Sequence, residues 1–146
     1  MILIVGGACQ GKRRFALEKF AGEALSLNSP NVQRTDSPAE QVFLDGSQAS
    51  WEEFLKGKYV CNLHRMIWRR LEHGEKPEDL EEKMAEELLE GCPGRVIVTD
   101  EIGYGIVPID RKEREYRELT GRICCKLAAK ADQVWRVVAG LGMRIR

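Results

Sequence analysis

Residues 1–14, with the sequence MILIVGGACQGKRR, decide how this chain folds. Four apolar residues, 2–5, lead into a glycine-rich turn that ends at Gly11 and Lys12. An apolar run bounded by such a turn is typical of a buried strand, and the residues after the turn favour a helix. The spacing of Gly6, Gly11 and Lys12 matches the P-loop, in which backbone N–H groups and a lysine hold nucleotide phosphates. We therefore expect a strand, a phosphate-binding loop and a helix in that order.

The P-loop pattern is broken at its last position. A P-loop carries Ser or Thr after the lysine, and that hydroxyl ligates Mg²⁺, whereas this chain has Arg13. A tight strand–helix turn that binds nothing is the alternative interpretation, although a lysine at the start of a helix suits an anion. The predicted nucleotide-binding residues are Gly6, Gly7, Ala8, Cys9, Gln10, Gly11, Lys12 and Arg13.

Length and composition describe one ordinary globular domain. The chain has 146 residues, of which 43% are hydrophobic and 32% charged, so we expect a single P-loop domain over residues 1–146. Its 23 basic and 23 acidic residues balance, which argues against nucleic acid and anionic membranes as partners. No apolar run approaches the roughly 20 residues that cross a bilayer, and no basic stretch precedes the first apolar run as in a signal peptide. We therefore expect a cytoplasmic protein.

The cysteines and histidines form no recognisable disulfide or metal pattern. Five cysteines are an odd number without any C-x-x-C pair, which favours reduced thiols. The adjacent Cys124 and Cys125 allow a vicinal redox pair or a soft-metal site, but neighbouring side chains on a helix diverge, which favours two packed thiols. His64 and His73 are the only histidines, so the sequence does not indicate a zinc site.

Strand-like and helix-like segments alternate along the chain, which predicts an α/β fold with a mostly parallel sheet. Residues 26–41 are polar, contain two prolines and predict a mobile loop. Residues 50–53, with Ser three positions before Glu, match a capping box and predict the start of a short helix. The predicted strands cover 2–5, 42–44, 58–63, 95–99, 133–139 and 143–146, and the longer predicted helices cover 12–25, 64–73, 77–90 and 111–130.

A second motif lies in the second half of the chain. Residues 96–108 read VIVTDEIGYGIVP, and an arginine-rich predicted helix and the sequence ADQVW at residues 131–135 follow. Together with the P-loop, these segments resemble the bifunctional adenosylcobinamide kinase / adenosylcobinamide-phosphate guanylyltransferase family of cobalamin biosynthesis. Its members carry a similar VTNEVGxGIVP loop and a GGAxSGKS P-loop. The resemblance is strong over residues 95–146, good over residues 1–16 and poor between them.

This resemblance implies a fold, ligands and a chemistry. The fold is a RecA-like P-loop fold of three layers, usually assembled as a trimer, so we expect a homo-oligomer. The kinase step moves the γ-phosphate of GTP or ATP, with Mg²⁺, to the terminal hydroxyl of adenosylcobinamide. The transferase step puts GMP on a histidine and then on the phosphorylated corrinoid. A nucleoside triphosphate and a corrinoid are therefore the expected ligands.

The chain departs from the family pattern where the chemistry is carried. Arg13 replaces the magnesium-ligating Ser or Thr, and Asn62 lies near the end of the central strand, where the family has an acidic residue. An amide ligates Mg²⁺ less strongly than a carboxylate does. The guanylyl-accepting histidine of the family precedes that strand, yet no histidine occurs in residues 1–63. His64 follows the strand and is interpreted as a helix-start or packed histidine, so we do not expect guanylyl transfer by the usual histidine.

Two adjacent carboxylates offer a compensation. The family loop has Asn before its Glu, whereas this chain has Asp100 before Glu101. Ligands of open α/β sheets bind beyond the carboxyl ends of the strands, where this pair is expected. Asp100 therefore either replaces the missing carboxylate as a Mg²⁺ ligand or caps the loop through backbone N–H groups. Arg13 is a candidate fixed positive charge on the phosphates. The predicted catalytic residues are Lys12, Asp100 and Glu101, and the predicted metal ligand is Asp100.

Three functions remain open from the sequence. The first is a nucleotide-dependent corrinoid kinase that has lost guanylyl transfer, because phosphoryl transfer depends mainly on positioning and charge. The second is a degenerate relative that binds a nucleotide or a corrinoid without turnover, which the altered magnesium positions favour. The third is a P-loop fold with only a structural role, which predicts no nucleotide binding.

Overall fold

The computed structural model describes residues 1–22 and 42–146. The mobile loop expected over residues 26–41 lies outside the described residues. The helix expected over residues 12–25 is shorter than predicted: it ends at Phe20, because Ala21 leaves the helical conformation with φ −113° and ψ 21°. Along the described chain, strands and helices alternate as the sequence predicts. In chain order the elements are β1 (Ile2–Val5), α1 (Lys12–Phe20), β2 (Leu44–Asp45), α2 (Trp51–Lys56), β3 (Tyr59–Cys61), α3 (Leu63–Glu72), α4 (Pro77–Glu90), β4 (Val96–Val98), α5 (Arg111–Lys130), β5 (Gln133–Val138) and β6 (Leu141–Arg144).

Five parallel strands and one antiparallel edge strand form a sheet in the order β2-β3-β4-β1-β5-β6. In its centre, Leu3 of β1 pairs with Ile97 of β4 on one side and with Val134 of β5 on the other. The predicted α/β fold with a mostly parallel sheet is confirmed. Because parallel strands end at the same edge of a sheet, the turn after β1 lies beside the residues that follow β3 and β4.

Helices cover both faces of the sheet and give the three layers that the resemblance implies. Strand residues alternate between two cores, so that Leu3 and Ile97 belong to the first core and Ile4 and Val98 to the second. The first core includes residues of α3, α4 and α5, and the second includes residues of α1. Within residues 1–22 and 42–146, no helix combines the length and the apolar character required to cross a lipid bilayer.

The third strand is shorter than the prediction of residues 58–63. It ends at Cys61 because Asn62 takes a left-handed conformation, with φ 57°. The Asn62 carbonyl accepts the N–H groups of Arg65 and Met66, at 2.9 and 3.2 Å, and thereby begins α3. The capping box predicted at residues 50–53 is present at the start of α2.

The strands at the two edges of the sheet also differ from the prediction. β6 begins at Leu141 rather than at residue 143, because Ala139 and Gly140 have φ 50° and 81°. Two residues with positive φ form the tight turn that joins antiparallel strands, so the last strand pairs with β5 at once. β2 covers Leu44–Asp45 instead of residues 42–44, since only these two residues pair with β3.

Arg95 is a buried charge that joins the ends of two helices. Its guanidinium donates to the carbonyls of Gly57 at 3.2 Å, of Leu88 at 2.9 Å and of Leu55. These carbonyls lie at the C-terminal ends of α2 and α4, where helix carbonyls lack partners within the helix. The side chain therefore fixes both helix ends against the start of β4.

Candidate nucleotide-binding site

The turn after β1 has the backbone shape of a phosphate-binding loop. Gly6 has φ 154°, and a Cβ there would overlap the carbonyl oxygen of Val137, so only glycine fits. Gly11 has φ 79° and directly precedes α1, which begins at Lys12. Cys9 has φ 57°, an uncommon conformation for a residue other than glycine. The predicted order of strand, loop and helix is confirmed.

Neighbouring segments hold this loop from both sides. The Gly6 carbonyl accepts the N–H of Glu101 at 3.0 Å. The Gln10 carbonyl accepts the N–H of Gly140 at 2.9 Å, and Gln10 Oε1 accepts the N–H of Ala139 at 2.6 Å. In the part of the chain that the structure describes, the N–H groups of the loop after Gly6 donate to no other backbone group. The loop is therefore fixed in shape while these N–H groups are available to an anion.

Lys12 and Asp100 are in direct contact at this loop. Lys12 Nζ donates to the Gly7 carbonyl at 2.6 Å and lies 2.7 Å from Asp100 Oδ1. The lysine side chain is only 6% exposed, so most solvent is excluded from this ion pair. Two of the three predicted catalytic residues thus meet at the N-terminus of α1, where the helix dipole is positive.

Glu101, the third predicted catalytic residue, faces a different partner. Its carboxylate lies 3.1 Å from Nη2 of Arg136, and the same Nη2 lies 3.2 Å from the Tyr104 hydroxyl. The Arg136 guanidinium also lies over the Tyr104 ring, 5.7 Å from its centroid. Glu101 therefore ties the loop after β4 to β5, whereas Asp100 contacts Lys12.

Arginines near the start of α5 hold the rest of that loop. Arg114 Nη1 donates to the carbonyls of Pro108 and Ile109 at 2.9 and 2.5 Å, and Arg117 Nη1 donates to the carbonyl of Ile106 at 2.9 Å. Each guanidinium thus satisfies carbonyls that a loop leaves without partners. These contacts give the arginine pattern of the second motif a structural role.

His64, which the sequence suggested to be a packed histidine, lies against Asp100. Its Nδ1 accepts the backbone N–H of Asp100 at 3.3 Å and lies 3.4 Å from the Thr99 hydroxyl, while Nε2 lies 3.8 Å from Asp100 Oδ2. Because Nδ1 accepts an N–H, the neutral ring carries its proton on Nε2. Burial lowers the pKa of His64 below its ordinary value, although the Asp100 charge acts in the opposite direction. The ring therefore positions Asp100 from the side of α3.

Asp45 supplies a carboxylate beside Asn62 and is absent from the predicted site residues. Asn62 Nδ2 lies 2.9 Å from both oxygens of Asp45, so the amide nitrogen faces the carboxylate. The N–H and the hydroxyl of Ser47 also donate to Asp45, at 2.8 and 2.7 Å. Burial alone would raise the pKa of Asp45, but these hydrogen bonds and the charge of Arg13 hold it below its ordinary value. The available sequence signal was a carboxylate directly after an apolar run.

An open cavity of about 500 Å³ lies beside the P-loop, between the start of α1, the start of α3 and the end of β4. We call it the P-loop cavity. Its lining includes the positive side chains of Lys12, Arg13, Arg14 and Arg65, together with the carboxylate of Asp100. The volume lies within the range of about 300–1,000 Å³ that is usual for small-molecule sites. An excess of positive charge at a helix N-terminus suits a polyphosphate. Of the predicted nucleotide-binding residues, 8–13 line the cavity, and Gly6 and Gly7 precede them in the turn.

Protein ligands for a metal are few at this site. Among the described residues, no group of three or more His, Cys, Asp or Glu side chains is close enough to hold a metal ion. Mg²⁺ at nucleotide sites needs only one or two carboxylates, since phosphates and waters complete its shell. The residues therefore fit Mg²⁺ only as an ion that the phosphates carry into the site. Asp100, in contact with Lys12, is the carboxylate that could hold it there.

Comparison with known proteins agrees with this geometry. The family model CobU, described as cobinamide kinase / cobinamide phosphate guanyltransferase, matches residues 58–145. The bifunctional adenosylcobalamin biosynthesis protein CobU of Salmonella typhimurium is 42% identical over 181 aligned residues, with 100% of this chain and 99% of that protein covered. The chain belongs to the cobinamide kinase / cobinamide phosphate guanyltransferase family. The protein of the same name from Escherichia coli is 48% identical over 56 residues, which are 38% of this chain and 31% of that protein.

The matched ranges include the residues of the site. The family model covers Asn62, His64 and Asp100, and the match to the Salmonella protein also includes the P-loop. That alignment extends over 181 positions, whereas this chain has 146 residues, so the relative contains segments without a counterpart here. The predicted family is confirmed, and membership supports a cobinamide kinase / guanylyltransferase-like function that uses a nucleotide and a corrinoid.

Proposed function

We propose that this chain is a nucleotide-dependent kinase that phosphorylates the terminal hydroxyl of a cobinamide. The observation that carries the proposal is the contact of 2.7 Å between Lys12 Nζ and Asp100 Oδ1. Phosphoryl transfer needs a positive charge on the transferring phosphate and a group that receives the acceptor's proton. An ammonium and a carboxylate in contact at a P-loop are suited to these two tasks.

In the proposed reaction, the acceptor oxygen attacks the γ-phosphorus of GTP or ATP. The bond between that phosphorus and the β–γ bridging oxygen breaks, the nucleoside diphosphate leaves, and the hydroxyl proton passes to the Asp100 carboxylate. Lys12 Nζ and the N–H groups of residues 7–12 offset the charge on the phosphate oxygens. Arg13 adds a fixed positive charge in the place of the missing hydroxyl. Glu101 positions the loop after Asp100 through its ion pair with β5.

Mg²⁺ enters this proposal as an ion that the nucleotide carries. When bound, it would offset the charge of the phosphate oxygens, and Asp100 would hold it through a bound water, so that the carboxylate stays available to the acceptor's proton. Asn62 is at most a weak second ligand, because Asp45 engages its amide nitrogen and only the neutral carbonyl oxygen is left for a metal. A carboxylate can only accept, so the amide nitrogen of Asn62 must face Asp45, and the side chain is held there by two contacts of 2.9 Å.

Guanylyl transfer through the usual histidine is not part of the proposed activity. Neither histidine of the chain precedes β3. His73 lies at the C-terminal end of α3, and the P-loop cavity is lined by residues near the opposite end of that helix. His64 uses Nδ1 to accept the Asp100 N–H, and its Nε2 lies toward the Asp100 carboxylate. Neither ring nitrogen of His64 therefore offers a lone pair to a phosphate in this arrangement.

A second candidate is a relative that binds its ligands without turnover. It is favoured by the engagement of Asn62 with Asp45 and by Arg13 in the position of the metal-binding hydroxyl. Both features leave the phosphate-binding loop intact while they reduce the groups that organise a metal. This candidate predicts nucleotide binding that does not depend on Mg²⁺.

Calorimetric titration with GTP and with ATP, each with and without Mg²⁺, tests the nucleotide site. We expect binding that Mg²⁺ strengthens in the wild type and that Lys12→Ala weakens by about tenfold or more, because a buried charge on the phosphates is lost. Lys19→Ala is the matched control, since Lys19 lies on the same helix with its ammonium over the Trp135 ring. Equal affinities for the wild type and Lys12→Ala would contradict the assignment.

Mass spectrometry of cobinamide after incubation with nucleotide and Mg²⁺ tests turnover. A product heavier by one phosphate supports the kinase. Nucleotide binding that does not depend on Mg²⁺, without a phosphorylated product, supports the relative that binds its ligands without turnover. Absence of nucleotide binding would leave only a structural role for the P-loop.

We further propose that the chain works as a homo-oligomer. The loop after β4 exposes large apolar side chains, with Ile106 92% and Ile109 98% exposed. Contiguous exposed apolar groups mark sites of protein contact more often than free surface. Light scattering tests the proposal, and a monomeric mass at micromolar concentration would contradict it.

A further inference from the structure

A second cavity, of about 320 Å³, lies between α5 and the centre of the sheet, and we call it the α5 cavity. Val5 of β1 and Val134 of β5 line its sheet side, and Thr120, Cys124 and Ala128 line its helix side. The lining is mostly apolar, and Cys124 adds to it as a neutral thiol, because burial raises its pKa to about 12. The α5 cavity therefore suits alkyl groups rather than phosphates.

One polar atom in this lining lacks a partner. Thr120 is 2% exposed, and its Oγ1 makes no hydrogen bond with the residues that the structure describes. A buried hydroxyl without a hydrogen bond costs free energy, so native proteins usually satisfy such a group with water or a ligand. The Thr120 hydroxyl thus indicates a ligand that carries a hydrogen-bonding group among its alkyl groups.

The α5 cavity and the P-loop cavity meet at Asp100. This residue lines both cavities, and its carboxylate contacts Lys12 on the P-loop side. Glu101 and Ile102 line the α5 cavity next to it. A molecule in the α5 cavity can therefore present its end to Asp100 while a phosphate occupies the position at Lys12.

We propose that the α5 cavity holds the alcohol-bearing arm of the acceptor. The cavity is at the lower end of the usual volumes of ligand pockets, about 300–1,000 Å³, so it admits an alkyl arm and leaves a corrin macrocycle outside. Thr120 hydrogen-bonds a polar group within the arm, and the terminal hydroxyl reaches Asp100, which takes its proton as the γ-phosphorus–oxygen bond forms. This inference rests on the proposed kinase function and adds the site of its second substrate.

Gly121 provides a variant that closes the α5 cavity without disturbing the fold. It lines the cavity in the middle of α5, and a Cβ added there meets no atom within 4 Å. Leucine is a better helix former than glycine, so Gly121→Leu is expected to unfold at the same or a higher temperature. Gly121→Ala is the matched control, because it changes the helix propensity and adds only a methyl group. Thr120→Val removes the unpartnered hydroxyl with nearly the same shape.

The experiment is a calorimetric titration of cobinamide into each protein, loaded with the non-hydrolysable analogue of GTP or ATP. We expect Gly121→Leu to weaken cobinamide binding by about tenfold or more, and Thr120→Val by roughly 3- to 10-fold, the effect of one hydrogen bond. Gly121→Ala should bind cobinamide within about twofold of wild type, and all variants should bind the nucleotide within about twofold, since none touches the P-loop.

The outcomes separate this inference from the proposed function. If Gly121→Leu and Thr120→Val both bind cobinamide as tightly as wild type does, the α5 cavity is not the acceptor site. The proposed kinase function would be unaffected by that result. Weakened binding in the variants, without phosphoryl transfer by the wild type, would support the cavity and overturn the kinase. No cobinamide binding by the wild type would overturn both. If light scattering gives Gly121→Leu a different molecular mass from wild type, the α5 cavity lies in an interface between copies of the chain. That result would overturn the inference.

Discussion

Replacing Asp100 by Asn should tighten the binding of metal-free nucleotide while it reduces phosphoryl transfer. In the structure, the Asp100 carboxylate is the group that neutralises Lys12, with 2.7 Å between Oδ1 and Nζ. A phosphate that binds Lys12 must displace this carboxylate or share the ammonium with it. Removal of the negative charge therefore favours the incoming anion. The same substitution removes the proposed proton acceptor, so turnover should fall by about 100-fold or more.

The size of the binding effect follows from the geometry. Two anions that contact the same ammonium lie roughly 4 Å apart, and at that separation they repel by about 1 kcal/mol in water and about 4 kcal/mol at an effective dielectric of 20. Lys12 is buried but Asp100 is 23% exposed, so the dielectric lies between these limits. We expect a gain of about 1–3 kcal/mol, which is roughly a 5- to 150-fold lower Kd.

Calorimetry with ATP and GTP in EDTA measures this change. Glu81→Gln is the matched control, because it removes one carboxylate of similar exposure from α4, where Glu81 pairs with Arg122 and Lys126. Its Kd should stay within about twofold of wild type. Metal-free binding by Asp100→Asn that equals or is weaker than wild type would refute the idea that Asp100 competes with phosphate for Lys12. Addition of Mg²⁺ should strengthen the wild type more than this variant.

Three further variants test separate parts of the structure. Arg95→Met should lower the free energy of unfolding by about 3–5 kcal/mol, measured with urea, because three buried carbonyls lose a charged donor; a loss below about 1 kcal/mol would contradict this role. His64→Gln should weaken the decline of stability on acidification. Burial lowers the pKa of His64 in the folded protein, so the unfolded chain binds more protons as the pH falls through about 6.5, and wild-type stability falls there. Equal slopes of the urea midpoint between about pH 7.5 and about pH 5.5 in both proteins would disprove that explanation. Ser50→Ala should cost about 0.5–2 kcal/mol in the same urea assay, because the capping box with Glu53 is broken, and an unchanged midpoint would rule out a stabilising cap.

Much of the fold could be predicted because its signals are local. The apolar run before Gly6, the left-handed Gly11 and the helix start at Lys12 lie within one short segment, and each follows from the residues next to it. The α4 and α5 helices have the predicted bounds. In the structure, Pro77 occupies the first position of α4, and the side chain of Asp110 accepts the N–H of Glu113 at the start of α5. The predicted end of β3, at residue 63, was wrong, because the sequence does not show that Asn62 takes a left-handed conformation.

The site could be predicted only in part. Lys12 and Asp100 were both selected, but the role given to Glu101 did not include its pairing with Arg136. His64 and Asp45 carry few local signs of a site. The contact of His64 with Asp100 and that of Asp45 with Asn62 depend on which strands become neighbours in the sheet, and such pairing joins residues far apart in the chain.

The sequence by itself determined the glycine-rich turn between β1 and α1, the alternation of strands and helices and the family, because these depend on residue types at short spacing. Only the tertiary structure decided which carboxylate meets Lys12, which side chain faces Asn62 and where a second cavity reaches Asp100. The physical reason is the strand order, which brings β4 against β1 and β2 against β3. That order is set by the packing of the helices on both faces, and no short segment of the chain encodes it.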